Sequence, residues 1–329
     1  MNLDRRDLAL YALAATIPLS TAGQEVATGL ALVVVLSRRG DAAPRPLDLP
    51  VLAVASLAAL GSLAGGTLGD AIGVGWAFLP FVLLPRLCAA HNAPTAARVA
   101  VGATGAAALA AVVDAASGGD GRGLASHHLT TAYALLPALV AFASQTGSLA
   151  GWAGFLLVGA GIAATGSAGA AVAAPTALLA LWTGRPGWSA LAGAVATVIG
   201  LATFADGGEL RQRAILWTGG LAVALRGPVG PGGYAAASTI PYDELAPGFW
   251  FPNHAHDGVV QALATLGPAG LVALGWLLWT VARLGPCSAA AVVGLAIGAA
   301  TQDVFGDLEV LRALALWAAI EGQRRAPVG

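Results

Sequence analysis

The chain has 329 residues, of which 57% are hydrophobic and only 10% charged, with a formal net charge of -1; an ordinary soluble domain is about 25% charged. With a mean hydropathy of +0.76, a soluble globule is excluded, and apolar segments that recur to the C-terminus exclude a secreted protein with one cleaved leader. Cys88 and Cys287 lie far apart in apolar context, so neither a disulfide framework nor a cysteine metal site is expected.

In chain order, apolar runs fall at about 8–20, 25–37, 49–66, 71–90, 95–114, 129–145, 148–164, 168–183, 187–205, 258–282, 287–302 and 306–322. A helix needs roughly 20 residues to cross the hydrocarbon core. The first two runs are shorter, with Gln24 and Glu25 between them, and read as a tight helical hairpin. The fold class expected is all-α: a polytopic transmembrane helical protein of about 12 spans, one membrane domain over 1–329.

Lysine is absent, so orientation is read from arginine alone. With an initial hairpin and ten further spans, Arg5, Arg6, Arg38, Arg39, Arg45, Arg86, Arg98, Arg185, Arg283, Arg324 and Arg325 all fall on one side, expected to be cytoplasmic with both termini. The opposite side receives one long loop, 206–256, together with most remaining polar residues. A loop of that length is functional or disordered; Trp217, Tyr234, Phe249, Trp250 and Phe251 argue against disorder.

Within the loop, "GGELRQRAILWTGGLAVALRGPVGPGGY" (207–234) predicts an amphipathic helix and then a glycine-proline turn. Arg213 and Trp217 share a helical face, and Leu216, Leu221 and Leu225 suit a helix lying at the membrane interface. Arg213 is either an arginine snorkelling to headgroups or a guanidinium that grips a phosphate with two N–H groups. Five arginines on the side opposite the arginine-rich one favour the second.

The loop closes on "FPNHAHDGVVQALATLGPAG" (251–270), which holds two of the chain's five histidines. Asp257 is placed to cap the helix that follows. His254 and His256 read as solvated loop residues or as a proton acceptor with its helper, since a neutral imidazole takes a hydroxyl proton near neutral pH. A zinc site would need a third ligand, which only His127, His128 or Asp257 offers.

These residues resemble the O-antigen ligase family of membrane glycosyltransferases. The resemblance rests on His256-Asp257, nine residues, then "GPAG" (Gly267–Gly270); on "RAILW" with "RGPVGPGGY", similar to the family's Arg-x3-Trp helix and its glycine-proline turn; on "GLASHHLTTAY" (123–133); on "IPLSTAGQEVATGLAL" (17–32); and on "TQDVFGDLEVLRALALW" (301–317). The set covers nearly the whole chain in order. Asp257 stands where Asn, Ser or Gln is usual, Asp303 where Glu is commoner, and the chain is short for the family.

The resemblance implies a GT-C-like fold in the bacterial inner membrane with the active site on its external face. It implies inverting transfer of a glycan from undecaprenyl diphosphate to a sugar hydroxyl, on lipid A–core in a ligase or on another glycan in a polymerase. His256 is then the base, with His254 and Asp257 beside it. Arg213 is the first choice for the diphosphate, with Arg211, Arg122 and Arg312 as further candidates, and Trp217, His127 and Asp303 are supporting residues. No cofactor, metal or nucleic-acid partner is expected; the partners are the donor, the acceptor and the bilayer. Transfer of the glycan to protein, and a membrane transporter, are the alternatives; a transporter would need charged or broken helices at mid-membrane.

Overall fold

A computed structural model describes residues 4–37, 45–64, 68–125, 127–204, 207–231 and 257–325. All regular structure among these residues is α-helical. The helices are α1 (Arg5–Thr16), α2 (Thr21–Leu36), α3 (Asp48–Ala64), α4 (Leu68–Leu87), α5 (Ala93–Ala116), α6 (His128–Ala134), α7 (Leu136–Ala143), α8 (Leu149–Ala164), α9 (Ala168–Thr183), α10 (Pro186–Phe204), α11 (Gly207–Ala224), α12 (Gly258–Ala282), α13 (Pro286–Ala299) and α14 (Leu308–Arg325). Every apolar run coincides with one of them, α6 and α7 together filling the run at 129–145. Ala93–Ala116, Pro186–Thr203 and Gly258–Ala282 are long and apolar enough to cross a membrane, and eight further apolar helices have 10–17 residues.

The initial hairpin forms, but its turn lies earlier than the sequence predicts. Ser20 is the N-cap of α2, its hydroxyl accepting from the Gly23 N–H at 3.1 Å. Gln24 and Glu25 therefore lie inside α2 rather than between the helices. Gln24 is buried because it has partners: its side-chain amide donates to the Ile17 carbonyl at 2.8 Å.

The core is built around α14. Its residues from Val310 to Ile320 are all buried, and it packs against α4, α5, α6, α7 and α13. A segment apolar on every side except at Arg312 needs such enclosure. Around it, α13 lies on α9, α3 on α4 and α12, α5 on α8, and α1 on α2 and α5. Small residues set the close approaches: a methyl group at Gly294 of α13 would come within 2.8 Å of the Ala177 side chain on α9. Meanwhile Val33, Val198, Val272 and Trp279 point outward from the bundle, as a lipid-facing surface requires.

Polar residues gather at the two ends. At one, Arg6 donates to the carbonyls of Leu87 and Arg86, Arg45 to that of Pro85, and Arg86 meets both Asp48 oxygens at 2.6 Å. At the same end Asn92 donates to Asp7 at 2.9 Å. The other end holds the α1–α2 turn, the α5–α6 connection, the start of α12 and the α13–α14 connection, and there Arg213, Asp257, Asp303 and His127 lie.

Candidate functional site

Helix α11 forms where the amphipathic pattern predicts it. It runs alongside the first half of α12 in the same direction. Near its start, the Arg213 Nη1 donates to the Thr301 carbonyl at 3.0 Å, close to the beginning of α12. Further along, Gly220 faces Val260 and Ala264. After the helix ends, Pro228 and Gly230 reach Thr265, Gly267 and Ala269. The physical reason lies in its apolar stripe: Leu216 and Val223 are buried with Ala264, and Trp217 packs on them. Of the leucines expected at an interface, Leu216 is buried, whereas Leu221 and Leu225 are exposed.

Asp257 caps α12. Its Oδ1 accepts from the N–H groups of Val259 and Val260, each at 2.9 Å. Burial raises its carboxyl above the ordinary range, against the two capping N–H groups and the charge of Arg213. Arg213, itself buried, thus stands between an acidic N-cap and the 301–307 turn.

That turn forms the wall of a cavity of about 460 Å³, lined also by Thr21, His127, Thr130 and Tyr133. Asp303 closes the turn by accepting from the Gly306 N–H at 3.0 Å, and Asp307 accepts from the Thr130 hydroxyl and from the Glu309 N–H. Burial, helped by the nearby charges of Asp307 and Asp257 and opposed by the Gly306 N–H, raises the Asp303 carboxyl to about 7. Asp307 is also raised by burial, against its bond from Thr130.

A raised acid stabilises the fold in its protonated form. The contribution of Asp303 is complete below about pH 4, the ordinary carboxylate range, and is lost as pH rises to about 7. Thermal unfolding in detergent should therefore show a melting temperature that falls between about pH 4 and 7, and falls less in Asp303→Asn. Equal slopes for the two proteins would mean that Asp303 does not titrate in this window.

The remaining candidates separate. His127 lines the cavity and is the N-cap of α6, its Nδ1 accepting from the Leu129 N–H at 3.2 Å with the ring 4.1 Å from that of His128. Arg122 lies on the surface, 3.8 Å from Asp120, and Arg211 is exposed on α11. Arg312 is fully buried; its Nη1 meets Gln24 Oε1 at 3.0 Å and Glu25 Oε1 at 2.7 Å. It is a strut between α14 and α2, with no surface on which a diphosphate could reach it. The Trp217 indole N–H is buried without a hydrogen-bond partner among the described residues. His254 and His256 lie outside the described residues, as does loop 232–256. Sequence reasoning does not single out Thr301 or Asp307 for the site. The available signal was the Asp303-x3-Asp307 spacing across Gly306, which puts two carboxylates on one tight turn.

Among the described residues, no group of three His, Cys, Asp or Glu side chains is arranged to hold a metal ion. No family model matches the chain, and no curated protein matches it.

Proposed function

We propose that the protein is a membrane glycosyltransferase that moves a glycan from undecaprenyl diphosphate to a sugar hydroxyl, with inversion and without a metal. In this reading about twelve helical segments span a bacterial inner membrane in a GT-C-like arrangement, and the site opens on the external face. The observation that supports it best is the meeting of three distant segments at one end of the bundle. A buried arginine on α11 and the capped start of α12 meet the acidic 301–307 turn, whose other side lines a cavity of about 460 Å³.

The chemistry asks for two things at once. As the bond from the anomeric carbon to the phosphate oxygen breaks, negative charge grows on the leaving diphosphate and needs a fixed cation; Arg213 supplies it. The acceptor hydroxyl forms the new bond from the opposite face of the sugar and gives its proton to a base; His256, one residue before the Asp257 cap, takes it. The lipid diphosphate departs with the bonding electrons. Because Arg213 is buried, its charge acts in a low dielectric, where it is worth more than in water.

One observation favours the polymerase form of this reaction over the ligase form. The cavity wall carries Asp303, Asp307 and Glu309, carboxyls that hydrogen-bond sugar hydroxyls, and among the described residues its lining offers no arginine to an acceptor's phosphate. A neutral glycan acceptor fits it better than a phosphate-bearing lipid A–core. The test is purified protein in liposomes with a lipid-diphosphate-linked oligosaccharide and either neutral or phosphorylated acceptors. Chelator-resistant transfer to the neutral acceptor is expected. Transfer restricted to the phosphorylated acceptor would reverse the preference, and no transfer to any acceptor would remove the enzyme reading.

A further inference from the structure

Helix α12 is broken, and the break is occupied. Gly267 has φ +74° and ψ 176°, which no helix contains. The turn that follows α11 sits in that break. The Ala269 N–H, which a continuous helix would bond within itself, donates instead to the Pro228 carbonyl at 3.0 Å. In hydrocarbon an unmatched backbone group is costly, so the turn completes α12 as much as α12 holds the turn.

The contact is backbone against backbone. A methyl group on Gly267 would lie 2.7 Å from the Pro228 carbonyl oxygen and from the Val229 carbonyl carbon. One on Gly230 would lie 2.6 Å from the Gly267 nitrogen and the Thr265 carbonyl carbon. Neither neighbour can rotate away, because both are backbone. The left-handed φ at Gly267 adds its own penalty for any side chain. Each glycine is thus required by the other.

This clip fixes a length. From Arg213 to Ala224 the helix rises about 16 Å, and from Asp257 to Gly267 about 15 Å. With its far end seated at Gly267, α11 therefore brings Arg213 level with the Asp257 cap and Thr301. A slip of one residue would move the guanidinium by about 1.5 Å, beyond the tolerance of a phosphate-binding geometry.

We propose that Gly230 and Gly267 are positioning residues that set where Arg213 stands along α12. The catalytic arm of the test rests on the function proposed above; the structural arm does not. For the structural arm, spin labels at Thr218→Cys and Trp276→Cys in a Cys88→Ser, Cys287→Ser background report the α11–α12 distance by pulsed electron resonance in liposomes. Gly267→Ala is expected to shift that distance by about 1.5 Å or more or to broaden it, and Gly275→Ala, on the same helix with open space around it, to leave it in place. An unchanged, narrow distance in Gly267→Ala overturns the proposal whether or not transfer is ever detected. For the catalytic arm, Gly267→Ala is expected to lower transfer at least tenfold at saturating donor, and to cost nothing further in Arg213→Ala. A full additional loss in Arg213→Ala would mean the glycines act elsewhere. Should Gly267→Ala fail to fold, Gly230→Ala runs the same two arms from the opposite side of the contact.

Discussion

Replacing Arg213 with alanine is expected to lower glycan transfer by about 10²- to 10³-fold, the typical loss when one fixed donor to a developing negative charge is removed. The argument separates position from charge. Arg213 spends one N–H on the Thr301 carbonyl, so alanine removes both an anchor for α11 and the cation. Arg213→Gln can keep a donor for Thr301 while losing the charge, and should be as inactive as alanine. Arg213→Lys keeps the charge but ends in a single ammonium; it cannot hold the carbonyl and also present a planar fork to phosphate oxygens, so partial activity is expected. Arg211 and Arg122 are exposed, and their alanine variants should lose less than tenfold. Full activity in Arg213→Ala, measured on folded protein in liposomes, would pass the diphosphate role to one of those two.

His256→Ala is expected to lower turnover by about 10²- to 10⁴-fold, the range for a lost general base, with the donor concentration at half-saturation nearly unchanged. His254→Ala should cost less, as a helper does. The structure sharpens the accompanying test on Asp257. One of its oxygens already holds the N–H groups of Val259 and Val260, so its first task is to start α12. Asparagine caps a helix nearly as well, and Asp257→Asn should retain activity with little change in its pH profile. A large shift of the pH optimum would instead make Asp257 the partner of the imidazole. Equal, small losses in both histidine variants would withdraw the base from His256. Loss with chelator and recovery with zinc would turn both histidines into ligands.

How much of this was legible in the sequence depends on the scale. Helix positions followed from apolar runs, because a segment that avoids water has few other ways to satisfy its backbone. The start of α2 was misplaced because Gln24 and Glu25 read as a polar gap. Only the fold shows that Ile17 and Arg312 supply their partners. For the same reason Arg312 read as a ligand-facing cation: composition does not reveal that a buried glutamine and a glutamate already meet it. Arg213 and Asp257 could be found from spacing and capping chemistry, since both act locally. Their meeting with the 301–307 turn could not, because it depends on how α11 lies along α12. Nor could the seating of "RGPVG" against "GPAG", two glycine-rich stretches whose common purpose shows only as a contact.

The arginines at the end away from the site have a second life. By the arginine rule, Arg6, Arg45 and Arg86 are expected to lie in the flanks that tell a translocation machinery which side to retain. In the finished bundle they end on the carbonyls of Pro85, Arg86 and Leu87 and on Asp48. The three carbonyls lie in the last turn of α4, a helix that carries prolines at 80 and 85, where a chain has few donors left to cover its own carbonyls. A signal expected to act once, at insertion, is thereby converted into a latch that outlasts it. Turning α4 over against α1 and α3 would mean pulling three cations off their acceptors together.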